Sequence, residues 1–164
     1  MFFCVIHEIG HILAATILKI RLEKIELMPF GLRASFVEHF EDKKIKEIFV
    51  VLAGPLTSLA LTFLSTTQEA IYSNILILVF NLIPIYPLDG GRIIKGILHT
   101  KLGAIQAEKL SDKISYITMI IVTVISSVAV YYYKNLAIFM ICIFLWIIVL
   151  KEKNVKTLAI LQGK

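Results

Sequence analysis

Long apolar runs separated by short charged segments constrain this chain more than any other feature. Five stretches are rich in apolar residues, at about 2–18, 48–64, 70–98, 114–133 and 136–150. Hydrophobic residues make up 58% of the 164 residues, against about 45–50% in an ordinary soluble domain. A membrane span needs about 20 predominantly apolar residues. The sequence therefore predicts an all-α polytopic membrane protein with about five transmembrane segments.

Positive charge is divided unevenly between the segments that join these runs. If every run crosses the membrane once, sixteen of the seventeen Lys and Arg residues lie on one side and Lys134 lies on the other. Cytoplasmic loops carry the excess of Lys and Arg, so we expect most basic loops and the C-terminus in the cytoplasm. Because topology accounts for the net charge of +5, no nucleic-acid partner is expected. Residues 1–150 are predicted to form one membrane-embedded domain, and residues 151–164 a short cytoplasmic tail.

Residues 22–37 follow the first apolar run and have a different pattern. Polar and apolar residues alternate over Lys24–Leu27, and Pro29 with Gly31 supplies turn chemistry before a second short run. These residues predict a small β-hairpin at the membrane interface.

His7, Glu8 and His11 form an H-E-x-x-H motif inside the first apolar run. Residues four apart lie on one face of a helix, so the two imidazoles can share a Zn²⁺ ion while Glu8 acts as general base. The alternative is a pair of buried histidines that only meet polar neighbours. Ionisable residues inside a membrane segment are costly and usually functional, which favours the zinc site.

A catalytic zinc ion typically has three protein ligands, so a third donor is expected. Asp89 is the best candidate, because it is a carboxylate within the third run and follows Pro84 and Pro87, which interrupt a regular helix. Its depth in the third run matches that of the histidines in the first. Two alternatives stay open: Asp89 caps the helix that follows it, or Cys4, on the helix face of the histidines, is the third ligand.

The H-E-x-x-H motif and the stretch Pro84–Arg92, Pro-Ile-Tyr-Pro-Leu-Asp-Gly-Gly-Arg, together resemble the site-2 protease family of intramembrane zinc metalloproteases. The likeness covers roughly residues 1–98 and is nearest to the compact bacterial branch of stage IV sporulation protein FB. It implies that His7, His11 and Asp89 are zinc ligands and that Glu8 is the catalytic base. It also implies that Asn81 and Pro87 help form a substrate cleft. Ala53-Gly54-Pro55 matches a small-residue motif of the family, whereas Ser58 stands where many members have Asn.

The resemblance also implies a reaction. We expect hydrolysis of a peptide bond in a membrane-embedded or membrane-associated protein, with release of a regulatory factor on the cytoplasmic side of a bacterial cell membrane. The expected partners are that substrate, the lipid bilayer and an inhibitory membrane protein. A catalytically inactive zinc-binding membrane regulator is the alternative function, and a zinc transporter is a third. Because the motif begins at residue 7, we expect either further sequence upstream or an unusually short member.

Overall fold

The structure is a computed structural model that describes residues 2–20, 22–28, 31–36, 44–134 and 136–161. The elements follow in the order α1 (Phe2–Ile17), β1 (Leu22–Met28), β2 (Gly31–Phe36), α2 (Lys44–Leu64), α3 (Gln68–Leu82), α4 (Asp89–Leu102), α5 (Ala104–Tyr133) and α6 (Ala137–Leu161). β1 and β2 pair in antiparallel register, with Leu22 opposite Phe36 and Met28 opposite Gly31. The pair forms a two-stranded sheet whose second strand contacts α1.

The predicted fold class is wrong in its number of transmembrane segments. Among the described residues, two stretches are long and apolar enough to cross a membrane, Ile45–Leu64 of α2 and Ala104–Tyr132 of α5. Phe2–Ile17 and Phe139–Lys151 are apolar but shorter. The predicted run over residues 70–98 is divided into α3 and α4 by the loop that contains its two prolines. The structure therefore supports two candidate spans in place of about five.

The shorter helices fall below the spanning length for physical reasons. α1 has 16 residues and α3 has 15, and each rises less than the roughly 30 Å of a bilayer core at about 1.5 Å per residue. The apolar part of α6 ends at Lys151, but the helix continues through charged residues as far as Leu161. Most of the predicted tail at residues 151–164 is therefore helical.

The two candidate spans expose apolar side chains instead of burying them. On α5 the large exposed residues include Ile117, Ile121, Val124, Ile125 and Val128. Contiguous apolar surface of this kind is rare on soluble monomers, because water makes it unfavourable. A lipid environment removes that cost, since lipid tails are as apolar as these side chains.

Two clusters of buried apolar residues lie between the described elements. Ala15 of α1 and Val50 of α2 form the first cluster, where these two helices pack together. Ile85, Met119 and Leu145 form the second, which joins the loop at residues 83–88 to α5 and α6. α4 packs against both α2 and α5. The helix that carries the two histidines and the loop that precedes Asp89 are thus held by different neighbours.

Candidate metal centre

α1 brings the two histidines of the H-E-x-x-H motif together. His7 and His11 are separated by one helical turn, so their side chains lie on the same face. Both are buried, with 2% of each residue exposed. Their rings meet edge to face with centroids 4.9 Å apart, and the two Nε2 atoms are 3.3 Å apart. The helix therefore presents two nitrogen donors to one point.

Asp89 supplies an oxygen to the same point from a distant part of the sequence. It is the first residue of α4 and is buried. Its Oδ2 lies 3.0 Å from Nε2 of His7 and 3.2 Å from Nε2 of His11. The chain can turn this closely because Gly90 has no side chain: a Cβ atom there would lie 2.2 Å from the carbonyl oxygen of Leu82 at the end of α3. The third predicted ligand thus meets the first two.

The three donor atoms fit a zinc ion. Their mutual separations, 3.0, 3.2 and 3.3 Å, define a small triangle of two imidazole nitrogens and one carboxylate oxygen. A tetrahedral zinc with bonds of about 2.0–2.2 Å has neighbouring ligands roughly 3.3–3.5 Å apart. Two histidines and one carboxylate are also a known ligand set of catalytic zinc sites. His7, His11 and Asp89 can therefore form a metal site.

The outer nitrogens of both imidazoles are held by α2. Nδ1 of His11 donates a hydrogen bond to the carbonyl oxygen of Val50 at 2.8 Å. Because a carbonyl can only accept, the proton lies on Nδ1, which leaves the Nε2 lone pair free for a metal. Nδ1 of His7 lies 2.8 Å from Oγ of Ser58, which is fully buried. Contacts of this kind fix the orientation and tautomer of metal-binding histidines.

Gly54 of α2 leaves the space in which the histidines converge. A Cβ atom at this position would lie 2.2 Å from Nε2 of His11 and 2.7 Å from Nε2 of His7. Any side chain would therefore collide with the donor atoms themselves. The small-residue motif that contains Gly54 keeps α2 close to α1 without filling the metal position.

Glu8 lies beside the three ligands without joining them. It is partly exposed, in contrast to its neighbour His7. Its carboxylate is close enough to interact electrostatically with His11 and Asp89. A carboxylate that borders the metal position and reaches solvent is suited to exchange protons with water. Its catalytic role stays a prediction.

The remaining predicted residues contribute no donor atom to the described cluster. Asn81, in the last turn of α3, is partly buried, and its Nδ2 donates a hydrogen bond to the carbonyl oxygen of Ile77 at 3.0 Å. Pro87 lies in the loop two residues before Asp89, after a cis peptide bond with Tyr86. Cys4 is partly buried and is not among the grouped ligands. The cleft roles of Asn81 and Pro87 stay predictions.

Two contacts of the site were not predictable from the motifs. The carbonyl group of Val50 holds His11, and a main-chain group leaves no mark in a sequence. Ser58 was expected to differ from the family pattern, but its hydrogen bond to His7 depends on how α2 is placed. A polar residue one turn beyond the Ala53-Gly54-Pro55 motif, inside an apolar helix, was the available signal.

Comparison with known proteins gives a family match and several relatives. Residues 64–125 match the family described as peptidase family M50. The chain is 32% identical over 122 residues to stage IV sporulation protein FB of Bacillus subtilis, a match that covers 67% of this chain and 42% of that protein. It is 34% identical over 127 residues to a zinc metalloprotease of Methanocaldococcus jannaschii, covering 67% of this chain and 36% of that protein. The chain spans less than half the length of these two relatives.

One solved structure shares the fold. The site-2 protease from Methanocaldococcus jannaschii aligns with a TM-score of 0.63 and 24% sequence identity, over 92% of this chain and 74% of that chain. The alignment extends well beyond the residues matched by the family, and it includes most of the helices described above. At this level of identity the likeness concerns the fold.

Proposed function

We propose that the chain is a zinc metalloprotease of the site-2 protease type that cuts a membrane-embedded protein, because residues 64–125 match peptidase family M50. The observation that carries the proposal is the convergence of His7, His11 and Asp89 on one point. His7 and Asp89 are 82 positions apart in the sequence, and all three residues are buried between apolar helices. Polar side chains are rarely gathered in such surroundings unless they bind something.

In the proposed reaction, each polar group of the site has a separate task. His7, His11 and Asp89 hold the zinc ion, which when bound polarises a peptide carbonyl and makes water a stronger nucleophile. Glu8 accepts the proton of the attacking water and passes it to the amine that leaves. Ser58 and Val50 keep the imidazoles oriented throughout. The chain thus supplies ligands, a proton carrier and fixed geometry.

A peptide bond inside a transmembrane helix resists hydrolysis, because its carbonyl group is hydrogen-bonded and its neighbours exclude water. The substrate must therefore unwind where it meets the site. The broken backbone between α3 and α4 borders the metal position and interrupts the helical packing there. We place the substrate beside this loop, with Asn81 and Pro87 lining its path.

The finer parts of the proposal concern location and product. We propose that the protein is a multi-pass protein of a bacterial cell membrane, with most of its basic residues and its C-terminus in the cytoplasm. Cleavage then releases a regulatory factor on the cytoplasmic side, as expected for a membrane-tethered precursor. An inhibitory membrane partner would restrain the reaction. If α2 and α5 are the two spans, the residues before α2 and after α5 lie on the same side and carry most of the Lys and Arg, which supports this orientation.

The decisive experiment compares the wild type with Glu8→Gln on a single-span substrate, in detergent or in liposomes. Glu8→Gln should lower turnover by about 10²–10⁴-fold, because the proton carrier is lost, while zinc stays bound. Glu69→Gln is the matched control, since it makes the same chemical change at an exposed position at the start of α3. Zinc content and cleavage are both measured, and a zinc chelator should stop cleavage by the wild type.

The outcomes separate the candidate functions. Retained turnover in Glu8→Gln refutes the assigned base. A wild type that binds zinc but cleaves none of the tested substrates favours the inactive zinc-binding regulator. Zinc flux in sealed vesicles, without cleavage, favours the transporter.

A further inference from the structure

The loop at residues 83–88 carries the chain from the end of α3 to Asp89. Its backbone donors are mostly satisfied nearby: N–H of Ile83 donates to Phe80, N–H of Ile85 donates to Ile83, and N–H of Leu88 donates to Ile85. The two prolines have no N–H group. Tyr86, which lies between the prolines, donates its N–H to the hydroxyl group of Ser115 on α5, at 3.0 Å.

Ser115 meets the loop in an apolar setting. It is 4% exposed, and the apolar cluster of Ile85, Met119 and Leu145 adjoins it. Ile85 directly precedes Tyr86, and Met119 lies one turn after Ser115 on α5, so apolar side chains adjoin this partly buried hydrogen bond. A buried N–H group that loses its partner carries a large desolvation penalty. The hydroxyl of Ser115 thus offsets part of the cost of packing this loop against α5.

The hydrogen bond lies three residues from the metal ligand. Tyr86 precedes Asp89 in the loop. The first turn of α4 packs directly on this loop. A Cβ atom on Gly91 would lie 2.3 Å from the backbone nitrogen of Tyr86, so these two segments are in contact. The ring of Tyr86 also lies beneath Nζ of Lys95 on α4, at 4.9 Å. A shift of Tyr86 must therefore move the start of α4, which begins with Asp89.

We propose that Ser115 is a positioning residue that sets the place of the Asp89 carboxylate through the backbone of Tyr86. The inference rests on the proposed metal site but not on proteolysis. Ser115 touches no donor atom, and it acts by holding the loop that delivers the third ligand. α5 is thereby coupled to the metal site, although it supplies none of the ligands.

The test measures the zinc affinity of the purified full chain by competition with a chromophoric chelator. Ser115→Ala should weaken zinc binding by about tenfold, the lower end of the range for supporting hydrogen bonds around a metal. Ser126→Ala is the matched control: Ser126 lies on the same helix, is 2% exposed, and among the described residues its hydroxyl donates to the carbonyl oxygen of Thr123 in α5, at 2.9 Å. Its zinc affinity should equal that of the wild type.

A second pair of variants separates the hydroxyl group from its bulk. Thr and Val have nearly the same size, so Ser115→Thr keeps the acceptor and Ser115→Val removes it. We expect Ser115→Thr to bind zinc about tenfold more tightly than Ser115→Val. If either of these does not fold, the comparison of Ser115→Ala with Ser126→Ala decides the matter.

Three results would overturn the inference. The first is a zinc affinity of Ser115→Ala equal to that of the wild type. The second is an equal loss of zinc affinity in Ser115→Ala and Ser126→Ala. The third is an equal zinc affinity in Ser115→Thr and Ser115→Val. A wild type that binds zinc without cleaving a substrate refutes the proposed protease and leaves the positioning role standing. A wild type that binds no zinc refutes the metal site, and the positioning role with it.

Discussion

The proposed metal site is assembled from two halves that are held in different ways. In the histidine half, α1 presents both imidazoles and α2 supports each one directly, through Ser58 and Val50. In the aspartate half, a broken loop leads to Asp89, and the support from Ser115 acts two steps away. The histidine half is therefore rigid through regular helix packing. The aspartate half is positioned by an irregular loop, which packs on α5 through the hydrogen bond between Tyr86 and Ser115.

This difference predicts which substitutions should weaken metal binding most. In the histidine half, atoms of α2 lie against the donor nitrogens, so a single added methyl group enters the metal position. In the aspartate half, disturbance must pass along the loop before it reaches the carboxylate. We therefore expect effects on metal binding to decrease from Gly54, through Asp89 and Ser58, to the contacts between α5 and α6.

The largest effect is expected for Gly54→Ala. The new Cβ atom would lie 2.2 Å from Nε2 of His11, closer than two non-bonded atoms can approach. Zinc binding should be lost to the limit of detection, measured as metal content of the purified protein. Gly96→Ala on α4 is the control, because its Cβ atom would meet only the side chain of Ile48, at 2.7 Å. Stoichiometric zinc in Gly54→Ala would show that α1 and α2 can separate, and the histidine half would not be rigid.

A smaller loss is expected for Asp89→Glu, which tests how far the aspartate half can adapt. The extra methylene group moves the carboxylate by about 1.5 Å if the backbone stays in place. Misplacement of this size costs about 10²-fold in turnover, which we expect here together with weaker zinc binding. Asp112→Glu makes the same change at an exposed position of α5 and should have no effect. If Asp89→Glu turns over substrate as fast as the wild type, the loop at residues 83–88 can shift to accommodate the longer side chain. That result would contradict a carboxylate position fixed by α5.

The same division separates what the sequence predicted from what it did not. The spacing of His7 and His11 is a property of one helix, so their shared face followed from the motif alone. Asp89 followed from chemistry, since a carboxylate in an apolar run needs a partner. The role of Ser115 did not follow, because the bond to Tyr86 exists only once α5 packs on the loop.

The number of transmembrane segments was overestimated for a related reason. Hydropathy along the chain does not reveal where a run ends as a helix, and residues 70–98 read as one apolar stretch. The two prolines were recognised as breaks, but the result is two separate helices, of which α3 has only 15 residues. Apolar residues that pack around a buried site need not span a membrane.

A more modest effect is expected for Ser58→Ala. The substitution removes the partner of Nδ1 of His7 but leaves all three ligands. Loss of a supporting hydrogen bond typically lowers metal affinity about 10–100-fold, and we expect the upper part of this range because Ser58 supports His7 directly, measured by chelator competition. Thr62→Val, one turn along α2, removes only a hydrogen bond to the carbonyl oxygen of Ser58 and serves as the control. If Ser58→Ala binds zinc as tightly as the wild type, the hydrogen bonds from α2 to the imidazoles are not what makes the histidine half differ from the aspartate half.

The smallest effect is expected where α5 meets α6, at the edge of the aspartate half. Oγ1 of Thr123 accepts a hydrogen bond from Nε1 of Trp146 at 3.0 Å and donates one to the carbonyl oxygen of Met119 at 2.7 Å. Thr123→Val keeps the shape but removes the partner of the indole N–H and the contact of Oγ1 with Sγ of Cys142 on α6, at 3.3 Å. Interhelical hydrogen bonds of membrane proteins contribute about 0.6 kcal/mol on average, so unfolding in detergent should become easier by about that amount.

Zinc affinity should not change in Thr123→Val, because the lost bond joins α5 to α6 and Ser115 still meets Tyr86. Thr100→Val is the control for both measurements, since its hydroxyl bonds only to the carbonyl oxygen of Ile97 within α4. If Thr123→Val weakens zinc binding as strongly as Ser115→Ala, the aspartate half extends to α6. Its geometry would then depend on the packing of the whole α5–α6 pair, through the cluster that joins Met119 and Leu145 to the loop.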